Sequence, residues 1–453
     1  MVGFDGDYDS ESLTGHVEVY VNAFEESLNG HPVFTRKVFE NARQQLNSIG
    51  DHEHIELYDH EGRLHTIPAE DGVRPDHKNS ILRYHSLHAL ADTKKHHVPC
   101  PDLASDGNGG IFGELKRFSR FPVYISHRAW SSHERYSSKK MLQIVSAYSQ
   151  LWNQSVERKM LVESLHQLIF SVRISNIVCI GHGSLSSSTD SLVQHLAACT
   201  IAQELQMLYK EADGEFETTI TITSHEPSYN RSDKEILSRL PIPISIQSDH
   251  ASFLDCLNDS SLVMSISPEI PVKQIIADLS SEPAGKIPAA LFVSNRAADD
   301  ENSQIDPVRY TFSSNVCPLY CTNPETKRYT AMLELYTKIM DGQELFGAFY
   351  TEYEQRVLGE DTYSEKWEGD MEAAAELVVE HPLVECNMGI QNDYGIEVKE
   401  DADCSASQLH SGVHASEQDP QPEVDSVFRD ADPTKDWSGF AWLRYTNLWA
   451  RHE

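Results

Sequence analysis

The stretch Asn176-Ile177-Val178-Cys179-Ile180-Gly181-His182-Gly183-Ser184-Leu185 joins a short apolar run to a glycine turn. Four consecutive apolar residues are too few for a helix and suit a buried strand. Gly181 and Gly183 break the run. A long amphipathic segment then opens near Asp190, capped by Asp190 or a preceding serine, with Leu192, Leu196, Cys199, Leu205 and Leu208 on its apolar side. Strand, glycine turn and helix form the arrangement in which a backbone can approach a nucleotide-like ligand closely.

The same alternation repeats downstream. Thr218–Thr223 predicts a second strand, ending at Ser224, His225, Glu226 and Pro227, and Ser232 with Glu235 predicts a capping box for the next helix. Ile242–Ile246, Leu262–Met264 and Ala289–Val293 predict three more strands, with helices at Phe253–Leu257 and Val272–Leu279 between them. Upstream, Met141–Trp152 and Glu157–Phe170 carry helical stripes. Strands and helices alternating at this spacing imply parallel pairing through right-handed crossovers. The fold class expected is α/β, a doubly wound, mainly parallel Rossmann-like sheet over 141–320.

Outside that region the texture differs. Residues 1–14 form an acidic start expected to be disordered. An N-terminal α+β extension over 15–140 contains a helix at Val33–Leu46, a hairpin through Ile55–Ile67 and a strand at Phe121–Ile125. Within it, 71–110 lacks periodicity and is expected as a long loop. His52, His54, His60 and His65 crowd the hairpin, where polar alternation explains them without a metal. A helical extension is expected over 321–362, with helices at Tyr329–Met340 and Leu345–Leu358. An acidic, largely disordered segment follows over 363–436. The last segment, 437–453, is aromatic: Trp437, Phe440, Trp442 and Trp449 either dock back on the domain or engage a protein partner.

Bulk properties narrow the function classes. The chain has 453 residues and a formal net charge of −33, which disfavours binding to nucleic-acid phosphates. Its eight cysteines are scattered. The nearest pair, Cys317 and Cys321, lacks a second pair to close a zinc site, so no metal centre is expected and the thiols suit the reducing cytoplasm or nucleus. The first residues lack the pattern of a secretion signal, and no apolar run reaches membrane-spanning length.

In a parallel sheet, ligand-binding groups gather at the carboxyl ends of the strands. The residues placed there are Gly181, His182, Gly183, Ser184, Glu226, Ser267, Glu269, Ser294 and Asn295. A dinucleotide fingerprint would need a glycine where Ser186 stands. Glu226 has the chemistry to receive a ribose hydroxyl, but lies farther from the glycines than that fingerprint expects. Ser184 lacks the following glycine of a nucleophile elbow, and no phosphate-loop Gly-Lys-Ser or Gly-Lys-Thr occurs near the turn. His182 alone reads as a turn residue with a satisfied ring. No catalytic residue and no cofactor is identifiable from these positions.

Gly181-His182-Gly183-Ser184 after the apolar strand, with Gln194, Leu196 and Ala197 on the helix, resembles the opening of the Sensitivity To Red Light Reduced-like domain family. Glu226-Pro227 and the acidic helix from Asp233 to Leu240 resemble that family's next segment. Two departures stand out: Ile266-Ser267-Pro268-Glu269 replaces a Met-Pro-His-Cys segment, and Val293-Ser294-Asn295 replaces Gly-Asn-Ser. The layout of extensions is most similar to fungal members. The resemblance implies a Rossmann-like core in a regulatory protein of the cytoplasm and nucleus, with relatives tied to light, clock, stress or haem-related regulation and no defined reaction. The alternative is a nucleotide- or S-adenosylmethionine-binding enzyme using the turn at 181–184.

Overall fold

A computed structural model describes residues 14–48, 54–68, 80–92, 120–126, 137–186, 188–213, 219–247, 251–266, 268, 270–294, 308–313, 323–342 and 446–452. The N-terminal part begins with β1 (Thr14–Val19), α1 (Val21–Ser27) and α2 (Arg36–Ser48). The expected hairpin is present as β2 (His54–Tyr58) against β3 (Leu64–Pro68), antiparallel. The expected long loop over 71–110 is corrected in part: it contains β4 (Ile81–Tyr84) and α3 (Leu87–Ala91). The strand β4 pairs antiparallel with β5 (Val123–Ser126), so partners about forty positions along the chain, invisible to local periodicity, hold it in place. The acidic start at 1–13 and the acidic segment over 363–436 lie outside the described residues.

The helices of the α/β region open where side-chain oxygens can take free backbone N–H groups. Ser137 caps α4 (Ser138–Gln154) through Lys140 N–H, and Ser155 caps α5 (Val156–Leu165) through Arg158 N–H. A 3-10 turn at His166–Phe170 leads into β6 (Asn176–Ile180). Next comes α6 (Thr189–Asp213), where Ser188 takes the Ser191 N–H at 2.9 Å, so the preceding serine rather than Asp190 supplies this cap. The order continues through β7 (Thr221–His225), α7 (Arg231–Leu237), β8 (Ile244–Gln247), α8 (Phe253–Cys256), β9 (Ser261–Ser265), α9 (Val272–Ser280) and β10 (Ala290–Ser294). The capping box of α7 is Asn230 with Asp233, not Ser232 with Glu235. It starts two residues earlier because Asn230 turns its carboxamide oxygen back onto the Asp233 N–H at 2.9 Å.

Beyond these come β11 (Val308–Ser313), which pairs antiparallel with β1, and α10 (Lys327–Leu333). The helix expected over Tyr329–Met340 ends at Leu333, and Tyr336–Asp341 forms the strand β12. The last strand is β13 (Thr446–Arg451). The helix expected at Leu345–Leu358 lies outside the described residues.

The central sheet has seven strands in the order β12-β13-β10-β9-β6-β7-β8. Its five inner members, β10, β9, β6, β7 and β8, are parallel, and β13 is antiparallel to both of its neighbours. Along β6, Ile177 and Cys179 face one apolar cluster while Val178 and Ile180 face another, as strand alternation requires. The first cluster takes its helical residues from α4, α5, α6 and α7. There Trp152 donates its indole N–H to Thr200 Oγ1 at 2.8 Å and closes α4 onto α6. The second takes them from α1, α2, α3, α8, α9 and α10, so the N-terminal extension shares the core of the sheet. Phe39 of α2 meets Phe253 of α8 edge to face, with ring centroids 6.0 Å apart.

The described part of the aromatic end, residues 446–452, docks back on the domain, while 437–445 lie outside the described residues. Strand β13 lies between β10 and β12, placing Leu448 and Ala450 in the first cluster and Trp449 against the second. Arg451 fastens its end: the guanidinium donates to the carbonyl oxygens of Ile287 and Asp259. A second clasp holds the N-terminal extension. Asp278 Oδ2 accepts the N–H groups of Val33 and Phe34, each at 2.8 Å, and Oδ1 accepts from Arg328.

Two stability predictions follow from these clasps. Truncation after residue 445 uncovers one edge of β10, all of whose side chains are buried, and should lower the urea midpoint markedly. Leu448→Ala should cost about 2–5 kcal/mol by the usual penalty for emptying a filled apolar site. A truncated chain unfolding at the midpoint of the full chain would show that β13 adds nothing. Asp278→Ala leaves two buried N–H groups and a guanidinium without their acceptor and should cost about 2–4 kcal/mol. Urea denaturation followed by tryptophan fluorescence measures both.

Candidate functional site at the glycine turn

The chain leaves β6 toward β7 on one side, while β9 lies on the other, so the strand order reverses at β6. Ligands of open α/β sheets bind outside the carboxyl ends of the strands at such a reversal. Here the two ladders end differently. Gly181 N–H continues the pairing to β7 by donating to the His225 carbonyl at 3.1 Å. On the other side the backbone ladder stops, and the Ser265 hydroxyl donates to the Ile180 carbonyl at 2.9 Å.

Gly181 and Gly183 adopt φ values of 72° and 76°, a left-handed conformation that costs other residues about 1–2 kcal/mol. Two carboxylates from across the sheet hold this turn. Glu226 Oε2 accepts the Gly183 N–H at 3.0 Å, and its Oε1 accepts the Ser228 N–H at 2.9 Å. Asp233 accepts the Ser184 hydroxyl at 2.7 Å and the Leu185 N–H at 3.1 Å. The Ser191 hydroxyl donates to the Gly183 carbonyl at 2.9 Å. Acidic side chains therefore already occupy the Gly183 and Leu185 N–H donors that could have faced a phosphate.

Beneath the turn runs a buried hydrogen-bonded chain. The Ser191 carbonyl can only accept, so His195 Nδ1 carries the proton and donates to it at 2.6 Å. His195 Nε2 then accepts from the Tyr229 hydroxyl at 2.5 Å, and Tyr229 accepts from Ser224 Oγ at 2.7 Å. Burial lowers His195 to about 4 and raises Tyr229 well above the usual phenol range, so both stay neutral. His182 packs edge-on against His195, with ring centroids 5.2 Å apart. Burial first, and His195 second, hold His182 well below the ordinary histidine range, with the Met264 backbone opposing. The ring is buried beside the Met264 backbone, which acts on it as a hydrogen-bond partner.

The fold thus brings together Gly181, His182, Gly183, Ser184 and Glu226. Glu226 lies far along the chain from the glycines, and parallel pairing of β6 with β7 closes that distance. Ser294 sits apart, at the end of β10 opposite Thr446 of β13. Ser267, Glu269 and Asn295 lie outside the described residues. Of the aromatic residues considered for a partner, Trp449 lies in β13, and Trp437, Phe440 and Trp442 lie outside the described residues. Sequence reasoning missed Ser191, His195, Tyr229 and Asp233. The spacing of Asn230 and Asp233 was a usable signal for the last, since it matches a capping box. Among the described residues no group of three or more His, Cys, Asp or Glu side chains is placed to hold a metal ion. No helix among them is long and apolar enough to cross a membrane.

A family model, the SRR1 domain, matches residues 161–365. The resemblance carried by the glycine turn and its following helix is thereby borne out. The match includes β6 to β12 and the turn, but ends well before β13, so a strand from beyond the matched region completes the domain's sheet. No curated protein and no solved structure matched the chain.

Buried neutral histidines make stability depend on pH in a definite direction. His195 and His88 have folded values of about 4, below the ordinary 6.5, and His182 also lies well below it. Their contribution is complete above about pH 6.5, where the unfolded chain is also neutral, and falls as pH drops toward 4. At pH 5 each of His88 and His195 should cost about 2 kcal/mol relative to neutral pH. Urea titrations from pH 7.5 to 5 should show this loss, and His88→Gln should flatten the profile by about one proton. An unchanged slope in that variant would contradict a neutral, buried His88.

Proposed function

We propose that the chain is a regulatory protein whose SRR1 domain, built on a doubly wound, Rossmann-like core, receives a small ligand at the turn after β6. The observation that carries this reading is the lock on the turn. Glu226 and Asp233 hold its backbone rigidly, and Gly181, Gly183 and Glu226 are left partly exposed at the strand-order reversal. A rigid, accessible turn suits recognition. The side chains able to do chemistry are committed elsewhere: the Ser184 hydroxyl donates to Asp233, and both His195 nitrogens are engaged within the fold.

Work in the cytoplasm or nucleus, alongside a protein partner, belongs to the same reading. The free thiols of Cys179, Cys199 and Cys256 support a reducing compartment, and burial pushes Cys199 up to about 12, far from a reactive thiolate. The second reading, a nucleotide- or S-adenosylmethionine-binding enzyme, is favoured by the placement of the turn at the strand-order reversal.

Incubation of the purified chain with nucleosides, nucleotides and S-adenosylmethionine separates the two. Thermal denaturation reports binding, and mass spectrometry reports conversion. The regulatory reading expects a stabilised protein, by about 2.7 kcal/mol at a hundred times the dissociation constant, with every compound recovered intact. Turnover of any of them would establish the enzyme instead.

A further inference from the structure

The carboxylate of Glu226 is oriented as an acceptor before any ligand arrives. Gly183 N–H binds one of its oxygens and Ser228 N–H the other, at 3.0 and 2.9 Å. A carboxylate oxygen has two acceptor positions, so one remains on each oxygen. No Lys or Arg pairs with Glu226 among the described residues, and the side chain is partly exposed. Beside it, Gly181 and Gly183 present backbone without side chains. Two acceptor oxygens of one carboxylate, beside a glycine turn, match two neighbouring hydroxyl groups.

Charge sets the rest of the ligand. Glu226 and Asp233 both face the turn and both take its N–H donors, so a phosphate there would meet two carboxylates and find those donors occupied. A neutral or cationic body meets no such opposition.

We propose that Glu226 accepts both hydroxyls of a vicinal diol on a neutral or cationic, ribonucleoside-type ligand lying across Gly181–Gly183. This assignment rests on the ligand-receiving reading above and narrows it to a chemical class that excludes polyphosphates.

Calorimetric titration of the full chain tests it with adenosine, guanosine, cytidine, uridine, S-adenosylmethionine and D-ribose. The matching 2′-deoxynucleosides and 5′-triphosphates are the controls. At least one ribonucleoside or S-adenosylmethionine should bind, with the 2′-deoxy form and the triphosphate each at least tenfold weaker. Glu226→Gln should weaken the same ligand at least tenfold. The deoxy comparison uses the unaltered protein and stands even where that variant loosens the turn. Ribose binding as tightly as the nucleosides would support the diol contact and identify a free sugar as its source. Equal affinity for the deoxy form, or tighter binding of the triphosphate, overturns the diol assignment and leaves a ligand site at the turn. Binding by none of the probes overturns both.

Discussion

A strand buried on both faces cannot leave the hydrogen-bonding groups along one edge unpaired. Strand β10 is such a strand, every one of its side chains being buried, with β9 on one side. On the other side the chain supplies β13 from its far C-terminal end. That pairing lets β12 join the sheet at all, since β12 touches β10 only through β13. An unpaired buried amide or carbonyl forfeits about as much free energy as a hydrogen bond is worth, so the sheet and the C-terminus form as one unit. The SRR1 match stops short of β13, which makes the end of the chain a structural part of a domain that its matched region does not contain.

The same rule governs the glycine turn. Its N–H groups stand at the entrance of a long helix, where partial positive charge would attract an anion. Glu226 and Asp233 answer that charge from within the protein. The turn is thereby held by its own backbone N–H groups and lined with acid, so it offers acceptors where a bare turn would offer donors. Below it, the Ser224, Tyr229, His195 and Ser191 chain satisfies buried polar groups in one direction only, because its last member is a carbonyl. His182 sits beside that chain without joining it.

The two faces of the sheet have different origins. One is covered by helices that alternate with the strands and the pair just before them, its helical cover running from Met141 of α4 to Leu237 of α7. The other borrows much of its cover from the N-terminal extension, whose Phe34 and Phe39 join Phe253 and Leu291. Asp278 ties that cover down at the backbone of Val33 and Phe34. The extension therefore acts as the missing layer of the sheet.

The sequence by itself determined the alternation of strands and helices from Asn176 to Val293, because period and breakers are local properties that survive without tertiary contacts. It also located the turn at Gly181–Ser184, since two glycines after an apolar run have few other uses. It could not show that Tyr336–Asp341 is a strand: a short segment of mixed polar and apolar residues fits either state, and only pairing with β13 chooses between them. Nor could it show β4, which exists through its distant partner β5. The distance between Gly183 and Glu226 along the chain hid their contact, which the β6–β7 register brings to 3.0 Å. That the segment Thr446–Arg451 turned inward was decided by the open edge of β10, a feature that comes into being only when the sheet has formed.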